Sequence, residues 1–138
     1  MADAKYKIIM LIDDNEIDNL INQRIIEASG ICEHIFTHTG GKSAIEYLRN
    51  ADKISDKAGI QNVLPELIFL DIDMPLMDGF QFLEEYEKLP MRVLDYCKIV
   101  MLTSSINSKD IKKSKQYEYV KEFINKPLSK ENLVNLAV

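Results

Sequence analysis

Short hydrophobic runs alternate along the chain with segments that repeat hydrophobic residues at helical spacing. The clearest runs are Tyr6–Ile12, Leu67–Leu70 and Lys98–Leu102, and each is followed at once by polar residues. A run of this length with such boundaries is typical of a strand buried on both faces of a parallel sheet. Two further strands are predicted at Ile31–Thr37 and Lys121–Asn125.

Helices are predicted between these strands. Hydrophobic residues across Ile17–Ala28 recur at helical spacing, with Asp14 or Asn15 as the N-cap and Gly30 as the stop. The polar segment Asn50–Asn62 is predicted to be an extended surface loop. The other predicted helices are Gly41–Asn50, Phe80–Tyr86 ending before Pro90, about Lys109–Tyr117, and a short last helix from the cap Ser129 to Leu136.

Five strand–helix units predict an α/β fold, a doubly wound five-stranded parallel sheet with helices on both faces, because right-handed crossovers leave few alternatives. The length of 138 residues fits one domain spanning residues 1–138, and no output domain is expected. Parallel strands end at the same edge of the sheet, so the polar residues that follow them are expected to meet there. These residues are Asp13, Asp14, Asp71, Thr103 and Lys126.

Composition narrows the class of protein. A hydrophobic content of 46% and a charged content of 28% are usual for a soluble globular domain. The net charge of −5 disfavours electrostatic binding to nucleic acid. No apolar run approaches the roughly 20 residues that cross a bilayer, so a cytoplasmic protein without a membrane partner is expected. Cys32 and Cys97 lack metal-ligand spacing and are predicted to be buried small side chains in a reducing compartment.

The converging residues indicate a particular chemistry. Three carboxylates close together repel one another unless a cation joins them, and Mg²⁺ is a hard cation that prefers such oxygen ligands. Lys126 adds a positive charge, and the Thr103 hydroxyl can donate a hydrogen bond. The set therefore predicts a pocket for a dianionic group, with the carboxylate of Asp71 placed to accept a phosphoryl group.

Over essentially the whole chain, the sequence resembles the receiver domain of two-component response regulators, in particular the stand-alone chemotaxis type. The resemblance rests on Asp13-Asp14, on Asp71 within LDIDMPLMDG, on Thr103 within MLTSS and on Lys126-Pro127. It implies a flavodoxin-like fold with strand order 2-1-3-4-5. It also implies that the protein is a phosphoacceptor in signalling, one that promotes its own phosphorylation and dephosphorylation, rather than an enzyme in the usual sense.

The resemblance also implies roles for individual residues. Asp71 would accept the phosphoryl group from a histidine kinase, a histidine phosphotransfer protein or a small phosphodonor. Thr103 and Lys126 would contact the phosphoryl oxygens, and Thr103 with Phe123 would form the conformational switch. The implied Mg²⁺ ligands are Asp13, Asp14, Asp71 and the backbone carbonyl of Asp73.

Further expectations concern regulation and partners. Asp73 and Ser105 flank the path of an attacking water, and we expect them to set the lifetime of the phosphoryl group. Ser104 stands where receivers often have a very small residue. The phosphorylated form is expected to act by binding a downstream protein, and a homodimer through the helix after Thr103 is a second expected contact.

Alternative interpretations remain at this stage. A phosphohydrolase of the haloacid dehalogenase type would use Asp71 and Asp73, although Pro75 departs from its motif and the acidic pair Asp13-Asp14 would have no role. An interaction module that is never phosphorylated is the other. Residue by residue, Asp13-Asp14 could be a helix cap, Asp71 a turn former, Thr103 a cap, Lys126 a residue before a cis-proline and Phe123 a core aromatic.

Overall fold

The structure, a computed structural model, describes residues 4–58, 63–104 and 107–136. Its strands are β1 (Tyr6–Ile12), β2 (Cys32–His38), β3 (Leu67–Asp71), β4 (Lys98–Thr103) and β5 (Val120–Asn125). The helices are α1 (Glu16–Ser29), α2 (Gly41–Ala58), α3 (Gly79–Tyr86), α4 (Met91–Tyr96), α5 (Ser108–Ser114) and α6 (Lys130–Val134). All strands pair in parallel in the order β2-β1-β3-β4-β5, which confirms the predicted fold class.

Strand β3 lies at the centre of the sheet, and all five of its residues are buried. Its side chains alternate between two hydrophobic layers, which explains why its sequence is continuously apolar. One layer packs β3 against α2, α3 and α4 and includes Leu48, Ile68, Leu70, Phe82, Tyr86 and Val93. The other packs it against α1 and α6 and includes Ile9, Ile26, Leu67, Phe69, Leu102 and Leu133.

The predicted loop Asn50–Asn62 is wrong over its first part, because α2 continues to Ala58; residues 59–62 lie outside the described chain. Ala51 and Asp52 are buried and continue the inner face of α2, while Lys53 and Ile54 are exposed. A helix whose outer face is almost entirely polar looks like a loop when only composition is considered.

Helix α4 (Met91–Tyr96) was not predicted. Pro90 ends the segment after α3 and also occupies the N-cap of α4, so one residue marks two boundaries. Only Val93 of this helix is buried. With so little apolar periodicity, six residues give no helical signal in the sequence.

The remaining boundaries are close to the predictions. Asn15 is the N-cap of α1, and Gly30 ends that helix with a left-handed φ of 71°. Helix α5 ends at Ser114 rather than Tyr117. Cys97 is buried as predicted, and burial raises the pKa of its thiol to about 12; Cys32 is only half-buried. Among the described helices, none combines the length and apolarity needed to cross a membrane.

Candidate functional site

The structure gathers the predicted polar residues at the carboxyl-terminal edge of the sheet. Asp13 and Asp14 follow β1, Asp71 ends β3, and Lys126 follows β5. Carboxylate oxygens of Asp13, Asp14 and Asp71 all lie within 4.8 Å of one another. Asp13 and Asp71 are 2% and 1% exposed, whereas Asp14 is open to solvent. Two buried acids and one accessible acid thus share a single pocket.

Asp13 is fixed by the start of α1 and by the end of β2. Its Oδ1 accepts a hydrogen bond from the backbone N–H of Asn15 at 2.9 Å. The side-chain amide of Asn19 donates to the Asp13 carbonyl at 2.8 Å and lies 3.4 Å from the His38 carbonyl. Asn19 did not appear among the sequence predictions. The hydrophobic pattern gave no signal for it, because the buried residues of α1 are Asn19, Asn22 and Ile26, whereas Ile17, Leu20 and Ile21 of the predicted stripe are exposed.

The ammonium of Lys126 lies at the centre of the acidic residues. Its Nζ is 2.9 Å from Oδ2 of Asp13, 3.0 Å from Oδ2 of Asp18 and 3.2 Å from Oδ1 of Asp71. Although burial alone would lower the pKa of Lys126, hydrogen bonds to Asp13 and Asp18 and the nearby carboxylate charges raise it above its ordinary value. The lysine therefore stays charged at all physiological pH values.

Asp18 is a second residue that the sequence predictions missed. It lies in the first turn of α1, where an acidic residue is expected simply because it stabilises the helix dipole. Because the helix dipole already accounts for an acidic residue at this position, the sequence did not indicate that Asp18 contacts Lys126, 108 positions later. Only the packing of α1 beside the end of β5 reveals it.

Asp71 carries a proton more readily than an ordinary aspartate. Burial raises its pKa, the charge of Asp13 raises it further, and contacts with Lys126 lower it, which together give a pKa of about 6. One ammonium does not balance the three carboxylates that contact it, those of Asp13, Asp18 and Asp71. The pocket therefore keeps an excess of negative charge.

This donor set fits a magnesium ion. Three carboxylates offer closely spaced oxygen atoms, and hard divalent cations prefer oxygen ligands. A cation there would also offset the negative charge that raises the pKa of Asp71. The carboxylates able to contribute are those of Asp13, Asp14 and Asp71.

The loop after β3 holds Asp71 in place. The backbone N–H of Ile72 donates to the Leu102 carbonyl at 3.0 Å, and that of Gly79 donates to the Ile72 carbonyl at 2.9 Å. A Cβ atom at Gly79 would lie 2.9 Å from the Ile72 Cα and 3.1 Å from the Asp71 carbonyl oxygen. Glycine is required here because the start of α3 touches the backbone of the site.

Thr103 ends β4 and is 1% exposed. Its hydroxyl donates to Oδ2 of Asp73 at 3.4 Å, and the Asp73 N–H lies 3.4 Å from Oδ1 of Asp71. Asp73 therefore connects Thr103 with Asp71. Ser104 is exposed beside them, whereas Ser105 lies outside the described residues.

Phe123 lies in the hydrophobic layer next to the site rather than among the charged residues. It pairs in register with Met101 on β4, is half-buried, and packs against the core cluster on that face of the sheet. The same face carries α5, whose Lys113 ammonium lies 4.5 Å from the ring centre of Phe80 on α3. Apart from such contacts α5 is largely exposed.

Comparisons with known proteins agree with this geometry. The family model described as "Response regulator receiver domain" matches residues 9–137. The probable methanogenesis regulatory protein FilR2 of Methanothrix harundinacea is 29% identical over 91% of this chain and 76% of its own length. The sensor histidine kinase CheAY of Helicobacter pylori is 30% identical over 94% of this chain, which spans only 14% of that protein. A two component response regulator structure from Cytophaga hutchinsonii superposes with a TM-score of 0.79, at 26% identity and covering 94% and 92% of the two chains.

Proposed function

The chain belongs to the response regulator receiver domain family, and on that basis we propose that Asp71 accepts a phosphoryl group in two-component signal transduction. Receiver domains act with histidine kinases or histidine phosphotransfer proteins, and we propose one of these as the donor. The observation that supports the proposal best is the placement of Lys126 within 3.2 Å of the buried Asp71 carboxylate. That carboxylate lies beside two further acids able to bind Mg²⁺.

The transfer requires Asp71 in its ionised form. An oxygen of its carboxylate forms a bond to phosphorus while the bond between phosphorus and the donor's imidazole nitrogen breaks, and the imidazole then takes up a proton. When bound, Mg²⁺ neutralises charge on the phosphoryl oxygens. Lys126 supplies a fixed positive charge, and burial of the site strengthens its effect.

We propose that Thr103 and Phe123 carry the switch. A phosphoryl group on Asp71 adds roughly −1.5 to −2 charges and strong hydrogen-bond acceptors. The Thr103 hydroxyl would leave Asp73 and donate to a phosphoryl oxygen, and Phe123 would occupy the space that Thr103 vacates. Helix α5 follows Thr103 and is held by few buried contacts, so it is the element whose position changes at least cost.

We propose that Asp73 and Ser105 set the lifetime of the phosphoryl group. Asp73 is exposed and its backbone N–H lies 3.4 Å from Oδ1 of Asp71, so its carboxylate would orient or repel an attacking water. The variants Asp73→Ala and Ser105→Ala are expected to change the rate of phosphoryl loss from the labelled protein. Unchanged rates in both variants would remove these residues from the proposal.

The phosphoacceptor role is tested by incubation with acetyl phosphate and Mg²⁺, followed by intact mass spectrometry. We expect a single, acid-labile phosphoryl group on the wild-type chain and none on Asp71→Asn or Asp71→Ala. Continuous release of phosphate from a phosphoester would instead favour the haloacid dehalogenase-type reaction of Asp71 and Asp73. If no phosphoryl group is incorporated under any condition, the protein would instead be an interaction module that is never phosphorylated.

We propose the wider setting from the family and the composition. Residues 1–138 would act as a receiver domain in the cytoplasm and would signal by binding another protein or a second copy of the chain. A comparison of protein capture and of oligomeric state with and without acetyl phosphate tests both contacts.

A further inference from the structure

Lys126 is held by a carboxylate that the proposed transfer does not use. The Asp18 side chain on α1 lies 3.0 Å from Nζ, as close as Asp13 at 2.9 Å and closer than Asp71 at 3.2 Å. An ammonium group has three N–H donors, and here three carboxylates surround it. Lys126 can therefore contact a phosphoryl oxygen only if one of these partners gives way.

The exposure of the three carboxylates shows which of them can leave Lys126 at the smallest cost in free energy. The side chain of Asp18 is 37% exposed, against 3% for Asp13 and 2% for Asp71. A carboxylate that can turn toward water recovers its hydration, whereas a buried carboxylate that loses its partner cannot. Asp18 is thus the carboxylate that a phosphoryl oxygen would replace at Lys126.

The surroundings of Asp18 leave room for that movement. A cavity of about 300 Å³ is lined by both partners of the ion pair, together with Ile21 and Asn22 of α1 and Ser104 and Pro127 at the strand ends. The Asp18 carboxylate can rotate away from Lys126 without displacing a packed side chain.

We propose that Asp18 is a positioning residue that holds the Lys126 ammonium before phosphorylation and must release it to the phosphoryl group. The inference rests on the proposed function. Its consequence is that the negative charge of Asp18 opposes phosphorylation of Asp71. It does so by competing for Lys126 and by repelling the incoming anionic group.

The test compares four chains with subsaturating acetyl phosphate at saturating Mg²⁺: wild type, Asp18→Asn, Asp18→Glu and Glu16→Gln. In this reaction the bond from Asp71 oxygen to phosphorus forms, the bond from phosphorus to the acetate oxygen breaks, and acetate leaves with the electron pair. Glu16 is the matched control because it lies in the same turn of α1 and is exposed. It makes no ion pair with Lys126 in the described chain.

We expect Asp18→Asn to be phosphorylated faster than wild type, by up to about fivefold, because an ion pair of this exposure is worth up to about 1 kcal/mol. Asp18→Glu keeps the charge and should retain a rate near that of wild type, as should Glu16→Gln. Equal or slower labelling of Asp18→Asn would overturn the inference. Equal acceleration in Glu16→Gln or in Asp18→Glu would also overturn it, since the effect would then not come from the Asp18 charge at Lys126.

A second measurement avoids turnover altogether. Beryllium trifluoride with Mg²⁺ forms a tetrahedral adduct on a carboxylate that resembles a phosphoryl group, and its affinity is read from amide chemical shifts. We expect tighter binding by Asp18→Asn than by wild type and unchanged binding by Glu16→Gln; the reverse order contradicts the inference. A wild-type chain that cannot be labelled would overturn the proposed function as well, whereas a labelled wild type with no acceleration in Asp18→Asn overturns the inference alone.

Discussion

Nζ of Lys126 lies 2.9 Å from Oδ2 of Asp13, a residue 113 positions earlier in the chain. The contact joins the end of the last strand to the end of the first, and it forms only when the sheet is complete. The same ammonium lies beside the buried Asp71 carboxylate. Lys126 therefore contributes to the stability of the fold as well as to the proposed reaction.

Replacing Lys126 by methionine is expected to lower the stability of the fold and to slow the phosphorylation of Asp71. Three carboxylates would lose their common cation, two of them buried, so the free energy of unfolding should fall by about 2–4 kcal/mol in metal-free buffer. Labelling by acetyl phosphate should slow about 100-fold, the usual cost of removing one charge-stabilising donor. Urea unfolding and intact mass measure the two effects. Lys121→Met on the exposed side of β5 is the control; an equal loss in that variant would contradict the assignment.

The raised pKa of Asp71 predicts a pH-dependent penalty on stability. Its folded pKa of about 6 lies above the ordinary value of 3.8, so the folded chain binds a proton that the unfolded chain has lost. The penalty is complete above pH 6 and disappears as the pH falls toward 4. In metal-free buffer at pH 8, Asp71→Asn should therefore be more stable than wild type by about 1–3 kcal/mol.

The same pair of chains also tests the metal site. The advantage of Asp71→Asn should shrink at pH 5, where wild-type Asp71 is largely protonated. It should also shrink when Mg²⁺ is added at pH 8, because the ion stabilises the folded wild type in proportion to its binding. Urea midpoints under these three conditions provide the measurement. A constant difference under all of them would show that the Asp71 charge is not the cause.

The sequence was sufficient to predict the sheet and the meeting of Asp13, Asp14, Asp71 and Lys126 at one edge of it. The buried strands are continuous hydrophobic runs, and the polar residue after each run is placed at one sheet edge by the parallel topology alone. Asp18 and Asn19 could not be predicted in the same way, because first-turn acids and polar helix residues are common for local reasons. Their roles depend on which strand end α1 packs against, and that is a tertiary relationship.

The hydrophobic pattern also failed to predict helical structure in segments that lack an apolar stripe. The polar end of α2 and the six residues of α4 are held by contacts with distant parts of the chain rather than by their own periodicity. The ion pair between Asp52 of α2 and Arg92 of α4 is one such contact. No local signal in either segment indicates the other.

Gly79 is expected to be intolerant of a side chain. An alanine Cβ would collide with backbone atoms of Ile72 and Asp71, which cannot move without shifting the end of β3. Gly79→Ala should lower the free energy of unfolding by about 1–3 kcal/mol and slow labelling of Asp71. Gly40→Ala is the matched control, since no atom lies within 4 Å of its built Cβ, and its stability should stay within about 1 kcal/mol of wild type. Chemical unfolding of both variants measures the difference. Equal free energies of unfolding would mean that the backbone near Gly79 accommodates a Cβ atom without loss of stability.

The pair between Asp52 and Arg92 predicts an asymmetry between its two partners. Arg92 donates through its Nη2 to Oδ2 of Asp52 at 2.9 Å, with a side chain that is 54% exposed against 6% for Asp52. Removing Arg92 leaves a buried carboxylate without this partner, whereas removing the Asp52 charge leaves an arginine that water can solvate. Arg92→Met should therefore cost about 2–3 kcal/mol of unfolding free energy and Asp52→Asn only about 1 kcal/mol.

The double variant distinguishes this explanation from a simple loss of packing. With both charges gone, no unpaired carboxylate remains, so Arg92→Met combined with Asp52→Asn should cost less than the sum of the two single changes. The exposed pair of Lys88 and Glu85, at 69% and 41% exposure, is the matched control, and Lys88→Met should change stability by less than about 0.5 kcal/mol. Additive costs, or a larger cost for Asp52→Asn than for Arg92→Met, would show that burial of Asp52 does not determine the strength of the contact between α2 and α4.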